Sequence, residues 1–141
     1  MAESSSGGEE RRVSEEETVY SIRIPERVNR EVEAALLQLA RWQATDDDPV
    51  PEDSVRLAVA YREARATLAR FPRRCPLIPE GVFRNEVRHL LFRRVPGAPV
   101  WRLLFTVEES DDGPVVRLLH LRMGTRRPIR HVEVDEIIGG T

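Results

Sequence analysis

Two hydrophobic periods alternate along this chain. Tyr20-Ser21-Ile22-Arg23-Ile24 alternates apolar and polar side chains, which predicts a half-buried strand ended by Pro25. From Glu26 to about Ala44 the period becomes helical: Val28, Val32, Ala35, Leu36 and Leu39 recur on one side, with arginine and glutamate opposite. The run Thr45-Asp46-Asp47-Asp48-Pro49-Val50-Pro51 breaks that pattern. Pro51 suits the first turn of a second helix, where Glu52 and Asp53 meet the positive end of the dipole. Leu57, Tyr61, Ala64, Leu68 and Phe71 give this helix an apolar stripe, and Pro72 stops it. The short connection predicts an antiparallel helix hairpin.

Pro76 and Pro79 hold the next stretch extended, and three strands follow. The first, Glu86–Phe92, is bounded by the turn-forming Val95-Pro96-Gly97-Ala98-Pro99. The second, Val100–Val107, places Trp101, Leu103, Phe105 and Val107 on one face and Arg102, Leu104 and Thr106 on the other. Asp111-Asp112-Gly113 marks a hairpin turn into the third, Val115–Met123, whose one face carries Val116, Leu118, His120 and Arg122. Residues 128–141 fit either a frayed strand or a short helix. The order β-α-α-β-β-β is that of an α+β protein, a helix hairpin packed on a small, mainly antiparallel sheet. The helices cover one sheet face, which leaves the other concave, partly polar and arginine-bearing, as the place for a ligand.

Composition adds charge to this picture. With 40% hydrophobic and 33% charged residues, a core is affordable and the surface heavily ionised. No apolar run approaches the ~20 residues that span a bilayer, and the N-terminus lacks the apolar segment of a secretory signal. The single cysteine, Cys75, has no internal disulfide partner, so a cytoplasmic location is expected. All 22 basic residues are arginine, which pairs bidentately with phosphate or carboxylate and leaves no lysine as a general base. Charge is also segregated. Residues 1–18 hold six acidic residues and two arginines, a net of −4, whereas Arg70 to Arg130 holds 13 arginines and six acids, a net of +7. The first region reads as a disordered acidic leader that shields the basic face; the second suits a polyanion or an acidic partner.

The familiar catalytic signatures are absent: no HExxH, CxxC, Walker lysine or GxSxG. His89, His120 and His131 are too far apart in sequence for a local metal site, so neither metal nor cofactor is expected.

The segment Leu68-Ala-Arg-Phe-Pro-Arg-Arg-Cys-Pro-Leu-Ile-Pro-Glu80 is followed by Val87-Arg88-His89-Leu90-Leu91. Trp101-Arg102-Leu103-Leu104-Phe105 comes next, then Val116-Arg-Leu-Leu-His-Leu-Arg-Met-Gly-Thr-Arg126. With its aromatic-Arg pair on the middle strand and Gly-x-Arg after the last, this succession resembles the RelE/ParE toxins of type II toxin–antitoxin systems, the plasmid-stabilisation proteins. The resemblance covers residues 19–127 and leaves out the leader (1–18) and the tail (128–141). It implies a toxin held inactive by a cognate antitoxin. RelE-like members cleave mRNA on the ribosome, whereas ParE-like members poison DNA gyrase without hydrolysis.

Carried over by position, the resemblance makes Arg88, Arg102 and Arg126 phosphate- or target-binding groups. Arg122, on the same strand face as His120, joins them. The second basic position of the RNA cutters is Leu90 here, and no tyrosine follows Tyr61. Phosphate-binding groups without an acid–base pair point to binding rather than cleavage. His89 or His120 could substitute for the missing proton-transfer group, and His120 is the better candidate because His89 points to the sheet face opposite Arg88. Three readings stay open: a gyrase-directed toxin, which is preferred; a ribosome-dependent endoribonuclease; and an inactive scaffold that only binds its antitoxin.

Overall fold

A computed structural model describes residues 19–43 and 52–139. The leader at 1–18 and the helix-breaking run Thr45–Pro51 lie outside the described residues. Strand β1 (Ser21–Arg23) leads into helix α1 (Glu26–Gln43), and α2 (Glu52–Arg70) ends in a single 3₁₀ turn, Pro72–Arg74. Strands β2 (Arg88–Phe92), β3 (Trp101–Ser110) and β4 (Gly113–Met123) follow, and helix α3 (His131–Gly139) closes the described chain. The sheet order is β1-β4-β3-β2, with β1 parallel to β4 and the other pairs antiparallel. No helix among the described residues is long and apolar enough to cross a membrane.

The apolar stripes behave as their spacing predicts. Val28 of α1 and Tyr61, Ala64 and Leu68 of α2 pack on Leu103, Phe105, Val116, Leu118 and Leu121 of the sheet. Ala35, Leu39 and Leu57 close the hairpin between the helices, and Ser54 Oγ donates to the Leu36 carbonyl (3.2 Å) across it. Each fully buried Leu or Phe contributes about 1.5–3 kcal/mol of transfer free energy, so this face holds most of the fold together.

Two expectations change. The second sheet face is not open: Ile78 and Val87 from the 76–87 loop and Ile129 and Ile137 from the C-terminal segment bury Leu104 and Leu119 in a smaller core. Residues 131–139, compatible in sequence with strand or helix, are helical because Ile137 needs that apolar face and reaches it from α3. The single face assigned to Val116, Leu118, His120 and Arg122 is also divided. β4 carries a bulge at Leu119, where Leu104 pairs with His120 and Phe105 with Leu118. The extra residue reverses the period-2 alternation, so Val116 and Leu118 face the helices while Arg122 turns towards α3.

Gly124, which opens the Gly-x-Arg element, has a packing reason. Its N–H donates to the Val100 carbonyl (2.7 Å), and a Cβ there would collide with Val100 Cγ1. Only glycine lets the chain leave β4 so close to β3.

Candidate functional site

The best-formed polar group lies on the sheet face opposite the helix hairpin. Arg102 projects from β3 and meets Glu80, delivered by the turn that Pro79 and Gly81 (φ 64°) shape before β2. The contact is a bidentate fork: Nη1 to Oε2 at 2.6 Å and Nη2 to Oε1 at 2.8 Å. Both side chains are almost closed to solvent, at 10% and 6% exposure. Oε2 of Glu80 also accepts the Ile129 N–H (3.2 Å), which ties the C-terminal segment to the pair. The Arg102 hydrogen bonds hold the Glu80 carboxyl down at about 2, against the opposing effect of burial. Arg102 Nε donates to Nδ1 of His89 (3.2 Å), leaving the proton of the neutral ring on Nε2. Burial, then the charge of Arg102, lowers the pKa of His89, with Glu80 acting in the other direction. The fork that would grip a phosphate is therefore occupied by a carboxylate of the same chain.

A second cluster sits where β4 meets α3. Glu133 presents one carboxylate to three guanidinium groups: Arg122 at 3.4 Å, Arg126 at 3.7 Å and Arg130 at 3.9 Å. Arg122 is wholly enclosed and donates from Nη2 to the Arg127 carbonyl (2.8 Å), but its buried Nε has no hydrogen-bond partner among the described residues. Burial and then the like charge of Arg126 lower the pKa of Arg122, partly offset by Glu133. The Arg130 N–H holds the Glu133 carboxyl below its usual range, against burial and with help from Arg122 and Arg126. Positive charge is in excess here, and Arg126 is half exposed. Arg122 and Arg126 share a cavity of about 430 Å³ between α1 and the end of β4, whose lining includes Gln38, Trp101 and Thr125.

The remaining sequence candidates lie elsewhere. Arg88 pairs in register with Phe105, on the helix-covered face, and donates to the Cys75 carbonyl (2.6 Å). It is thus on the opposite side of the sheet from Arg102, while His89, one residue on, is the histidine that joins Arg102. His120 and Arg122 keep the same side of β4, in register with Leu104 and Arg102, but His120 is tied to α1. Its Nδ1 lies 2.5 Å from Oε2 of Glu31 on α1, and its Nε2 is buried without a partner among the described residues. The other Glu31 oxygen accepts the Leu121 N–H (3.0 Å), where β4 runs past the end of the three-residue β1. Burial pushes the Glu31 carboxyl up, but the hydrogen bond and charge of His120, the Leu121 N–H and Arg27 outweigh it, and the net shift is downwards. Replacing Glu31 with alanine orphans both His120 and the Leu121 N–H. The expected loss is about 1–3 kcal/mol, read from the denaturant midpoint. An unchanged midpoint would show that this carboxylate is dispensable.

No family model matches the chain, and no curated protein or solved structure matches it significantly. The site therefore rests on its own geometry. The arginines, His89 and His120 are visible in the sequence, whereas Glu80 and Glu133, which pair with the arginines, and Glu31, which pairs with His120, are not. A local signal exists for Glu80, which sits between Pro79 and Gly81 in a turn aimed at the sheet. Glu133 falls in the first turn of α3, where a carboxylate is favoured, but only a helical reading of the tail reveals it. Glu31 pairs across 89 residues with His120, and nothing local announces that contact.

Proposed function

We propose that the chain is the toxin component of a type II toxin–antitoxin pair, and that it acts by binding an essential target of the gyrase type rather than by cutting RNA. The observation that carries the non-hydrolytic half is the occupation of the candidate phosphate-binding groups. Arg102 is held by Glu80, Arg122 is enclosed beside Glu133, and Arg88 lies on the far side of the sheet. Leu90, at the position of a second basic group, packs on the helix-side core. His120 is 5% exposed and tied to Glu31, so it is poorly placed to exchange a proton with a substrate. The toxin half is supported by the order of elements and by the Trp101-Arg102 and Gly124-Thr125-Arg126 pieces of the resemblance. A cognate antitoxin is the partner this reading requires.

Inducing the gene alone in bacterial cells, with growth, mRNA integrity and gyrase-linked DNA breaks recorded together, tests the proposal. Growth arrest with DNA breaks and intact mRNA is expected. Codon-positioned mRNA cuts would overturn the mechanism, and unimpaired growth would leave an inert scaffold. Arg126 is the sharpest residue to change, because its guanidinium is half exposed and only loosely paired. Arg126→Ala should leave stability within about 0.5 kcal/mol while cutting toxicity by roughly tenfold, the loss of one charge-assisted contact. Full toxicity in this variant would remove Arg126 from the target-binding surface.

A further inference from the structure

The point at which the described chain begins carries an excess of positive charge. The Tyr20 N–H donates to the Ala69 carbonyl (2.7 Å), which fixes Val19 beside the last turn of α2. Arg70, at the end of α2, and Arg73 and Arg74, in the 3₁₀ turn that follows, are all exposed. The guanidinium groups of Arg74 and Arg70 lie over the Phe71 ring, 4.2 and 5.9 Å from its centroid. Stacking of this kind positions the two charges without neutralising them. Among the described residues no carboxylate pairs with Arg70 or Arg74, and the one near Arg73 is Glu109, at 3.4 Å with both side chains more than half exposed. Such an exposed pair is weak. The cluster thus holds three positive charges against one.

We propose that the acidic run Glu15-Glu16-Glu17 docks, within the same molecule, on the Arg70–Arg74 cluster. Those glutamates precede Val19 by two to four residues, a reach of roughly 7–14 Å for an extended chain. They bring three negative charges to a patch with two uncompensated positive ones, and the short tether gives them a high effective concentration. The arginine-bearing sheet face is a poorer seat for the leader. Arg102 and Arg122 are paired there with Glu80 and Glu133, and α3 covers part of that face. The inference goes beyond the toxin reading and does not depend on it.

Limited digestion of the full chain with a glutamate-specific protease tests the docking, by the rate of cleavage after residues 15–17. At low salt the native chain should be cut at least about threefold more slowly than the Arg70→Gln/Arg73→Gln/Arg74→Gln variant, with the difference vanishing near 0.5 M salt, where screening shortens to a few ångström. All three arginines are exposed, so the variant should keep its fold, which thermal melting verifies. Backbone amide relaxation supplies an independent reading: residues 15–17 should be more restrained in the native chain than in the variant. Equal cleavage and equal relaxation in the two proteins would overturn the proposal. Protection that grows with protein concentration would do so too, by placing the leader on a second copy.

Discussion

Glu80→Ala is expected to destabilise the protein by roughly 3–5 kcal/mol, the range for breaking a buried ion pair from one side. The variant leaves the Arg102 guanidinium enclosed by protein with no carboxylate, and it also orphans the Ile129 N–H. Replacing both partners, as in Glu80→Gln/Arg102→Met, should cost less than Glu80→Ala alone, because no uncompensated charge remains. Chemical denaturation of the three proteins checks this, and an ordering in which the double variant is the least stable would refute it. The same pair fixes an acid response. A carboxyl whose folded-state pKa lies at about 2 is depressed relative to the unfolded chain, so its contribution is complete above the ordinary carboxylate range. It is lost as pH falls from about 4.5 towards 2, and amounts to about 3 kcal/mol. Glu80→Gln should flatten that part of the stability–pH curve, and an unchanged acid limb would show that other groups set it.

Ile137→Ala should have the next largest effect, about 2–5 kcal/mol for truncating a buried isoleucine. The residue is 1% exposed and fills the second core against Leu104 and Leu119. Helix α3 has nine residues, fewer than an isolated helix needs in water, so its structure depends on docking. Losing the Ile137 anchor should therefore release the whole helix, not one contact. Hydrogen exchange across residues 131–139 should rise together, and the Arg122–Glu133 contact should go with it. A local rise confined to the neighbours of Ile137 would show that α3 is held by other means.

Much of this fold is legible in the residues. Val28, Ala35 and Leu39, then Leu57, Tyr61, Ala64 and Leu68, mark both helices and the face each buries, because apolar positions recurring every 3.6 residues line up on a helix and scatter on a strand. The alternation in β3 assigns Leu103 and Phe105 to one core and Leu104 to the other. The bulge at Leu119 breaks the same logic in β4. One inserted residue carries no compositional mark, yet it exchanges the faces of everything beyond it. The candidate site is legible only in part. Arginine at a strand position is visible in a sequence, but the carboxylate that occupies it comes from a loop 22 residues earlier, or from a helix that exists only once docked. Alternation along β2 puts His89 on the face away from Arg88, and that is the face from which Arg102 meets it.

The way the sheet ends bears on association. Beyond the three residues of β1, the outer side of β4 is met by the Glu31 carboxylate at Leu121. At the far margin, the Pro76 carbonyl accepts the His89 N–H (3.2 Å), and Leu77 bridges to Arg88 along β2. Unpaired strand margins are the usual seeds of intermolecular β-addition and aggregation. Here each is covered in part by the same chain, at Leu121 by Glu31 and at residues 87–89 by the 76–78 segment, so strand addition by a neighbour is discouraged at those positions. A partner that contributes a strand at those positions must first displace Glu31 or the 76–78 segment, and its affinity will be lower by that exchange.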